Sequence, residues 1–451
     1  MQPTLYKNYL LSLLTAILVF NYVDRLALGV LLQDIKSDLQ LSDTQLGFLG
    51  GIAFALFYSV MGIPIARWAD RGYRVVVIVV TTLLWTVAVA LCGVAASFSQ
   101  LLLVRIAVAV GEAGCIPPAF ALIAAYFPRA ERPRATAIYG MGGGIAAVIG
   151  YFCAGWLNEL YGWRATFAII AAPGLLLAPV AWFTLKEPPR ESQQALPAGA
   201  EHAVSASFSE VFATLWASRT FRHLLFCLAI SFFFTYGLLQ WQPAFFLRSH
   251  GLTSGQLGSW LTASFAFATL AGTYLGGEVA SRHAGGNEAL QLKGMAAAVL
   301  VSGVFAAAVY LVPNHQFAFA CLALAYTLLG TLNGPLFATI QTLVPQSMRA
   351  TSFALVYLFA NLIGMGFGPL AAGVLSDALR PWAGPESLRY ALVALTPGYV
   401  WVAWHAWCAS RTVAGDLARA RAASIEPTEQ QPQPGDANSG TRDVQSSNRA
   451  C

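Results

Sequence analysis

Twelve runs of about twenty apolar residues dominate this sequence, and each is long enough to cross the roughly 30 Å hydrocarbon core of a bilayer. They fall near positions 9–31, 45–66, 75–96, 101–124, 135–157, 164–184, 221–246, 255–279, 294–312, 317–341, 350–375 and 389–410. Only 10% of the 451 residues are charged and 57% are hydrophobic, against about 25% charged in soluble domains, so lipid rather than water is the solvent for most of the surface. In hydrocarbon the backbone must satisfy its own polar groups, and these runs are too continuous for the short alternating strands of a membrane barrel. The expected fold class is all-α, with twelve transmembrane helices.

Basic residues fall unevenly between the two sides of this map. One side holds Lys7, Arg67, Arg71, Arg74, Arg129, Arg132, Arg134, Lys186, Arg190, Arg219, Arg222, Arg282, Lys293, Arg349 and the tail from Arg411; the other holds Lys36, Arg164, Arg248, Arg380 and Arg389. The richer side is expected to be cytoplasmic, with both termini there, in a multi-pass protein of the cell inner membrane. This bias accounts for the net charge of +5, and no clustered basic face with stacking groups points to nucleic acid. The first run lacks a small-residue cleavage site after it and is expected to be retained. Six of the seven cysteines sit in apolar runs without metal-ligand spacing, and neither metal nor cofactor is expected.

A polar stretch divides the chain six and six, giving expected units of 1–185, a cytoplasmic linker over 186–220, a second unit over 221–412, and a disordered tail over 413–451. An internal repeat supports the division. The fourth run reads PPAFALIAAYFPRAERPRAT and the tenth GPLFATIQTLVPQSMRAT, with Pro118 and Pro128 matched by Pro335 and Pro345, and Arg134-Ala135-Thr136 by Arg349-Ala350-Thr351. Such parallel repeats specify two pseudo-symmetric six-helix bundles with a binding site near midplane between them.

Gly62-Ile63-Pro64-Ile65-Ala66-Arg67-Trp68-Ala69-Asp70-Arg71-Gly72-Tyr73-Arg74 resembles the loop motif between the second and third helices of the major facilitator family. The resemblance implies a gating latch in which Asp70 and the arginines Arg67, Arg71 and Arg74 tie helix ends across the cytoplasmic seam. Asn21-Tyr22-Val23-Asp24-Arg25, Gly111-Glu112-Ala113-Gly114-Cys115 with Pro117-Pro118, Gly162-Trp163-Arg164 and Lys186-Glu187-Pro188-Pro189-Arg190 resemble the Spinster branch, chiefly through the N-terminal half. The first two elements also occur in the organic anion:cation symporter branch. Eukaryotic Spinster relatives export sphingosine-1-phosphate or move lysophospholipids, and the branch is associated with proton coupling. For a bacterial-type member the resemblance leaves the substrate open, and it implies protons and a small-molecule or lipid substrate as partners of a monomeric transporter.

The residues independently mark the same place, because ionisable side chains are expensive in a bilayer and suggest function by default. Four lie well inside the runs: Asp24, Arg25, Arg105 and Glu112. Arg105 and Glu112 are two helical turns apart on one face, whereas the adjacent Asp24 and Arg25 diverge by about 100°. Asp24 is therefore expected to meet a neighbouring donor or Arg25 to reach sideways, with Glu112 facing a cavity. A carboxyl in such a cavity is tuned by desolvation and by nearby arginine, which is the physics of proton coupling; Asp24 and Glu112 are the expected proton site, with Arg25 and Arg105 available to an anionic group.

The C-terminal half has no ionisable residue in mid-span. It offers Tyr236, Gln240, Trp241, Asn333 and Asn361 as substrate contacts, or as interhelical hydrogen-bonding groups. A cavity charged on one wall and aromatic on the other suits an amphipath with an anionic or zwitterionic head. Small organic anions such as sugar or aromatic acids, and multidrug efflux, are the alternatives. Asn158-Glu159 and Glu278 lie near the membrane interfaces and read as seam or solvated residues. The six histidines are dispersed and no nucleophile sits with a base, which leaves no basis for an enzyme.

Overall fold

The structure is a computed structural model that describes residues 4–128, 130–188 and 208–425, apart from 345–347 and scattered positions between 267 and 285. Among the described residues, nine continuous helices are long and apolar enough to cross a membrane. Two of them are far longer than one crossing needs: Arg132–Thr184, with 53 residues, and Leu355–Arg419, with 65. The first doubles back at Gly162, whose φ of 77° is open to glycine and strained for other residues, and the second at Gly384. The helix that starts at Ser254 is described only in its first part, and counting it and the two reversals gives twelve crossings.

They are labelled α1 (Thr4–Leu39), α2 (Asp43–Asp70), α3 (Arg74–Cys92), α4 (Phe98–Tyr126), α5 (132–161), α6 (163–184), α7 (Arg219–His250), α8 (from Ser254), α9 (Glu288–Leu311), α10 (His315–Leu343), α11 (349–383) and α12 (387–425). The fold is all-α, two bundles of six, and among the described residues there is no strand. A short helix, Phe208–Ala217, precedes α7; positions 189–207 of the predicted linker lie outside the described residues.

The repeat read in the sequence has a shared structural effect. α4 breaks between Glu112 and Ile116, just before Pro117 and Pro118, and α10 breaks between Gly330 and Asn333, just before Pro335. Proline removes the N–H that would close the helical turn before it, so each helix loosens one turn upstream. Two π-helical segments, Thr262–Ala266 in α8 and Asn361–Phe367 in α11, interrupt the C-terminal half; such bulges re-aim side chains and recur at functional sites.

One boundary differs from expectation. α12 continues to Ile425 instead of yielding to disorder at 413. Its Val413 and Leu417 are buried, and Asp416 accepts hydrogen bonds from Ser218 Oγ and Thr220 N, both at 2.7 Å, at the start of α7. That docking, with an Ala- and Arg-rich sequence of good helix formers, outweighs the polar composition. The rest of the predicted tail lies outside the described residues.

Candidate functional site

At the middle of the N-terminal bundle, α1 and α4 exchange two ion pairs. Arg105 Nη1 donates to Asp24 Oδ2 at 2.7 Å, and Arg25 Nε donates to Glu112 Oε2. The pairs cross, because α1 and α4 run antiparallel: Arg105 reaches down to Asp24 while Arg25 swings sideways to Glu112. This is how two adjacent residues with diverging directions serve partners two turns apart. Asp24 and Glu112 are both fully buried, and Arg105 is 2% exposed, whereas the Arg25 side chain retains 17%.

Both pairs leave atoms without protein partners. Among the described residues, Asp24 Oδ1, Glu112 Oε1, Arg105 Nε and Arg25 Nη2 find no hydrogen-bond partner, nor does the amide of Asn21 one turn below. Three ring faces enclose the Arg25 guanidinium: Tyr22 at 5.0 Å, Phe54 at 4.8 Å and Tyr58 at 4.6 Å. Such cation–π contacts hold the charge in place without neutralising it. The Arg25 side chain also lines a cavity.

That cavity, of about 240 Å³, lies between the two bundles. Its N-terminal wall includes Tyr22, Arg25, Phe54, Arg105 and Tyr151, and its C-terminal wall Tyr236, Gln240, Pro243, Phe265, Met365 and Pro369. Phe265 and Met365 come from the two π-helical segments. Glu112 is not on the lining; it stands behind Arg25. The Gln240 amide lies across α2, its nitrogen 2.9 Å from where a Cβ on Gly50 would stand. Of the other residues singled out in the C-terminal half, Trp241 is buried and donates to Pro369 O at 2.9 Å. Asn333 is exposed at the α10 break and Asn361 opens the π segment of α11. None of these three reaches the cavity wall.

The glycines around Glu112 explain how α4 is held. A Cβ at Gly111 would stand 2.5 Å from the backbone nitrogen of Trp85, and one at Gly114 would press into the Thr81 side chain. Both glycines thus allow α4 to lie directly on α3, which fixes the depth of Glu112. Gly111→Ala is expected to cost about 1–3 kcal/mol by overpacking and to lower the thermal midpoint in detergent; an unchanged midpoint would show that α3 yields freely.

Hydrogen bonds joining the two bundles among the described residues cluster on the face opposite the N-terminus. Asp43, at the start of α2, is a hub there: it accepts from Lys36 Nζ at 2.5 Å, from Arg248 Nη1 and Nη2 of α7, each at 2.9 Å, and from Ser376 Oγ of α11 at 2.6 Å. Arg248 Nε also bonds Gln33 Oε1 at 2.5 Å. In the sequence Lys36 and Arg248 speak only to topology, and Asp43 carries no signal that sets it apart. On the N-terminal face, Arg67, Asp70 and Arg71 are exposed and Arg74 is half-buried, and among the described residues Asp70 makes no ion pair. Among the described residues no His, Cys, Asp and Glu group could hold a metal ion.

Comparison with known proteins gives a consistent picture. The model of the Major Facilitator Superfamily matches residues 14–415. An MFS-type efflux pump of Mycolicibacterium smegmatis is 32% identical over 375 residues, covering 83% of this chain and 86% of that protein. The hexuronate transporter of Bacillus subtilis is 25% identical, covering 81% and 87%. Among solved structures, a bacterial homolog of the human lysosomal transporter Spinster, in an inward-facing and unoccupied conformation, superposes with a TM-score of 0.81 at 31% identity, covering 92% of this chain and 99% of that one.

Proposed function

This chain belongs to the major facilitator superfamily, a family of transporters and not of enzymes, and we propose that it is a proton-coupled, alternating-access carrier of an amphipathic anion or zwitterion. The observation that carries the reading is the Arg25–Glu112 pair, buried on the carboxylate side and touching the cavity on the guanidinium side. Two carboxylates and two guanidinium groups sum to zero, so a proton on Glu112 frees one positive charge beside the cavity. An anionic head then takes Arg25 in place of the carboxylate. Apolar and aromatic groups of the opposite wall cover the rest of the substrate.

The conformation fits an inward-facing state, with both termini cytoplasmic and the far face closed by the Asp43 hub. In the opposite state Asp70, Arg67, Arg71 and Arg74 would tie the cytoplasmic seam. The protein would work as a monomer in the cell inner membrane, with Asp24 as a second proton site beside Glu112. A small organic anion is the second reading, favoured by two arginines on one cavity wall and by the likeness to a hexuronate transporter.

Proteoliposomes loaded with a pH dye test these readings. Lysolipids and sphingoid phosphates are expected to drive proton movement that saturates with concentration, while sugar and aromatic acids are not. A response to the acids alone would establish the second reading, and substrate flux without proton movement would reject coupling.

A further inference from the structure

We propose that the far face is held by two pseudo-symmetric latches, in which a carboxylate at the end of α11 or α5 closes the helix N-terminus of α2 or α8 in the other half. The sequence duplicates both partners. α2 begins Leu41-Ser42-Asp43-Thr44-Gln45-Leu46-Gly47 and α8 begins Leu252-Thr253-Ser254-Gly255-Gln256-Leu257-Gly258, and each opens on a capping box, Ser42 with Gln45 and Thr253 with Gln256. The receiving ends repeat as well: Gly373-Val374-Leu375-Ser376-Asp377 on α11 and Gly155-Trp156-Leu157-Asn158-Glu159 on α5.

The principal contacts fall at matching positions, with more of them in the first copy. Asp377 accepts from Asp43 N at 3.1 Å and from Thr44 N and Oγ1 at 2.7 Å; Glu159 accepts from Gly255 N, the counterpart of Thr44, at 2.7 Å. Ser376 donates to the Asp43 side chain at 2.6 Å, and Asn158 donates to that of Ser254, the counterpart of Asp43, at 2.9 Å. A Cβ at Gly373 would strike the Asp43 carbonyl and one at Gly155 the Ser254 carbonyl, so both crossings depend on a bare backbone at the same place.

The capping boxes satisfy only part of each helix start, and the first-turn N–H groups left over attract an anion. In each latch that anion comes from the other bundle. The interaction exists only while the far face is shut and is lost as a unit when the bundles part. The two copies differ in charge: Asp43 adds Lys36 and Arg248 to the first, whereas its counterpart Ser254 is uncharged and Asn158 of the second donates also to the Asp34 carboxylate.

This proposal rests on alternating access, and its test reads conformation without requiring substrate or protons. Nitroxide labels on S37C and P385C, introduced where reactive native thiols have been replaced, report the separation across the far face by electron–electron double resonance. Asp377→Ala and Glu159→Ala are each expected to raise the far-face-open to closed ratio about fivefold, the size of losing one N-cap. The double variant should raise it about 25-fold, because both latches act on one rigid-body equilibrium. Asp377→Asn and Glu159→Gln, which keep the side-chain shape, should shift it in the same direction by less and serve if the alanine variants fold poorly. An unchanged ratio in the variants, or a shift for only one site, overturns the proposal; a single distance in the parent under every pH and in every variant would instead reject alternating access.

Discussion

Proteoliposomes containing Glu112→Gln are expected to lose uphill, proton-driven substrate movement while retaining exchange of substrate across the membrane. Glutamine preserves the shape of Glu112 and removes both its charge and its proton. Arg25, held by three aromatic rings, then stays permanently available to an anion. The carrier can bind and reorient, but nothing links that cycle to a pH gradient. With one proton per substrate, a gradient of one pH unit sustains about tenfold accumulation; the variant should equilibrate without accumulating.

The same geometry fixes the sign of coupling. A substrate anion and the Glu112 carboxylate compete for one guanidinium, so binding of the anion and protonation reinforce each other. Affinity for the anion should rise as pH falls, by at most about tenfold per pH unit for a single proton, and in Glu112→Gln should become high and lose most of its dependence on pH, the remainder belonging to Asp24. Binding measured by calorimetry or by tryptophan fluorescence between pH 5 and 9 checks this. Affinity that falls on acidification would sink the exchange mechanism at Arg25.

The identity of the helices and of the charged quartet was legible because both follow from transfer energies. A charge inside an apolar run is conspicuous, and the spacings of the four place them on two facing helices. The repeat even accounts for the lopsided cavity: matching Pro118 to Pro335 sets Leu322 and Leu329 where the N-terminal half has Arg105 and Glu112. What the pattern could not supply was rotation about each helix axis in the C-terminal half. Tyr236 and Gln240 do line the cavity, yet Trp241, one position on, turns about 100° away and bonds the α11 backbone.

The closed face was illegible for a different reason. Asp43, Asp377 and Glu159 sit at helix ends near the interface, where a carboxylate is unremarkable, and their significance lies in partners more than 90 residues distant. The duplicated Leu-Ser/Thr-x-x-Gln-Leu-Gly starts were the available signal. Capping boxes announce where helices begin, and finding the same one at corresponding positions in both halves would have directed attention to whatever covers those N-termini.

The second large effect separates the two ion pairs. Arg105→Met leaves the Asp24 carboxylate fully buried without its cation, and breaking one side of such a pair typically costs about 3–5 kcal/mol. The variant is expected to give little folded protein and a sharply lowered thermal midpoint in detergent. Replacing both members, Asp24→Leu with Arg105→Met, removes the stranded charge along with the pair, and apolar substitution of a whole buried pair is commonly neutral or stabilising. Folded yield should therefore return in the double variant. Its binding should still depend on pH if Glu112 alone carries the coupled proton behind Arg25, the mobile pair at the cavity. If instead pH dependence disappears from the stable double variant, the proton resides on Asp24 and the Arg105 pair is part of the transport cycle rather than a brace between α1 and α4.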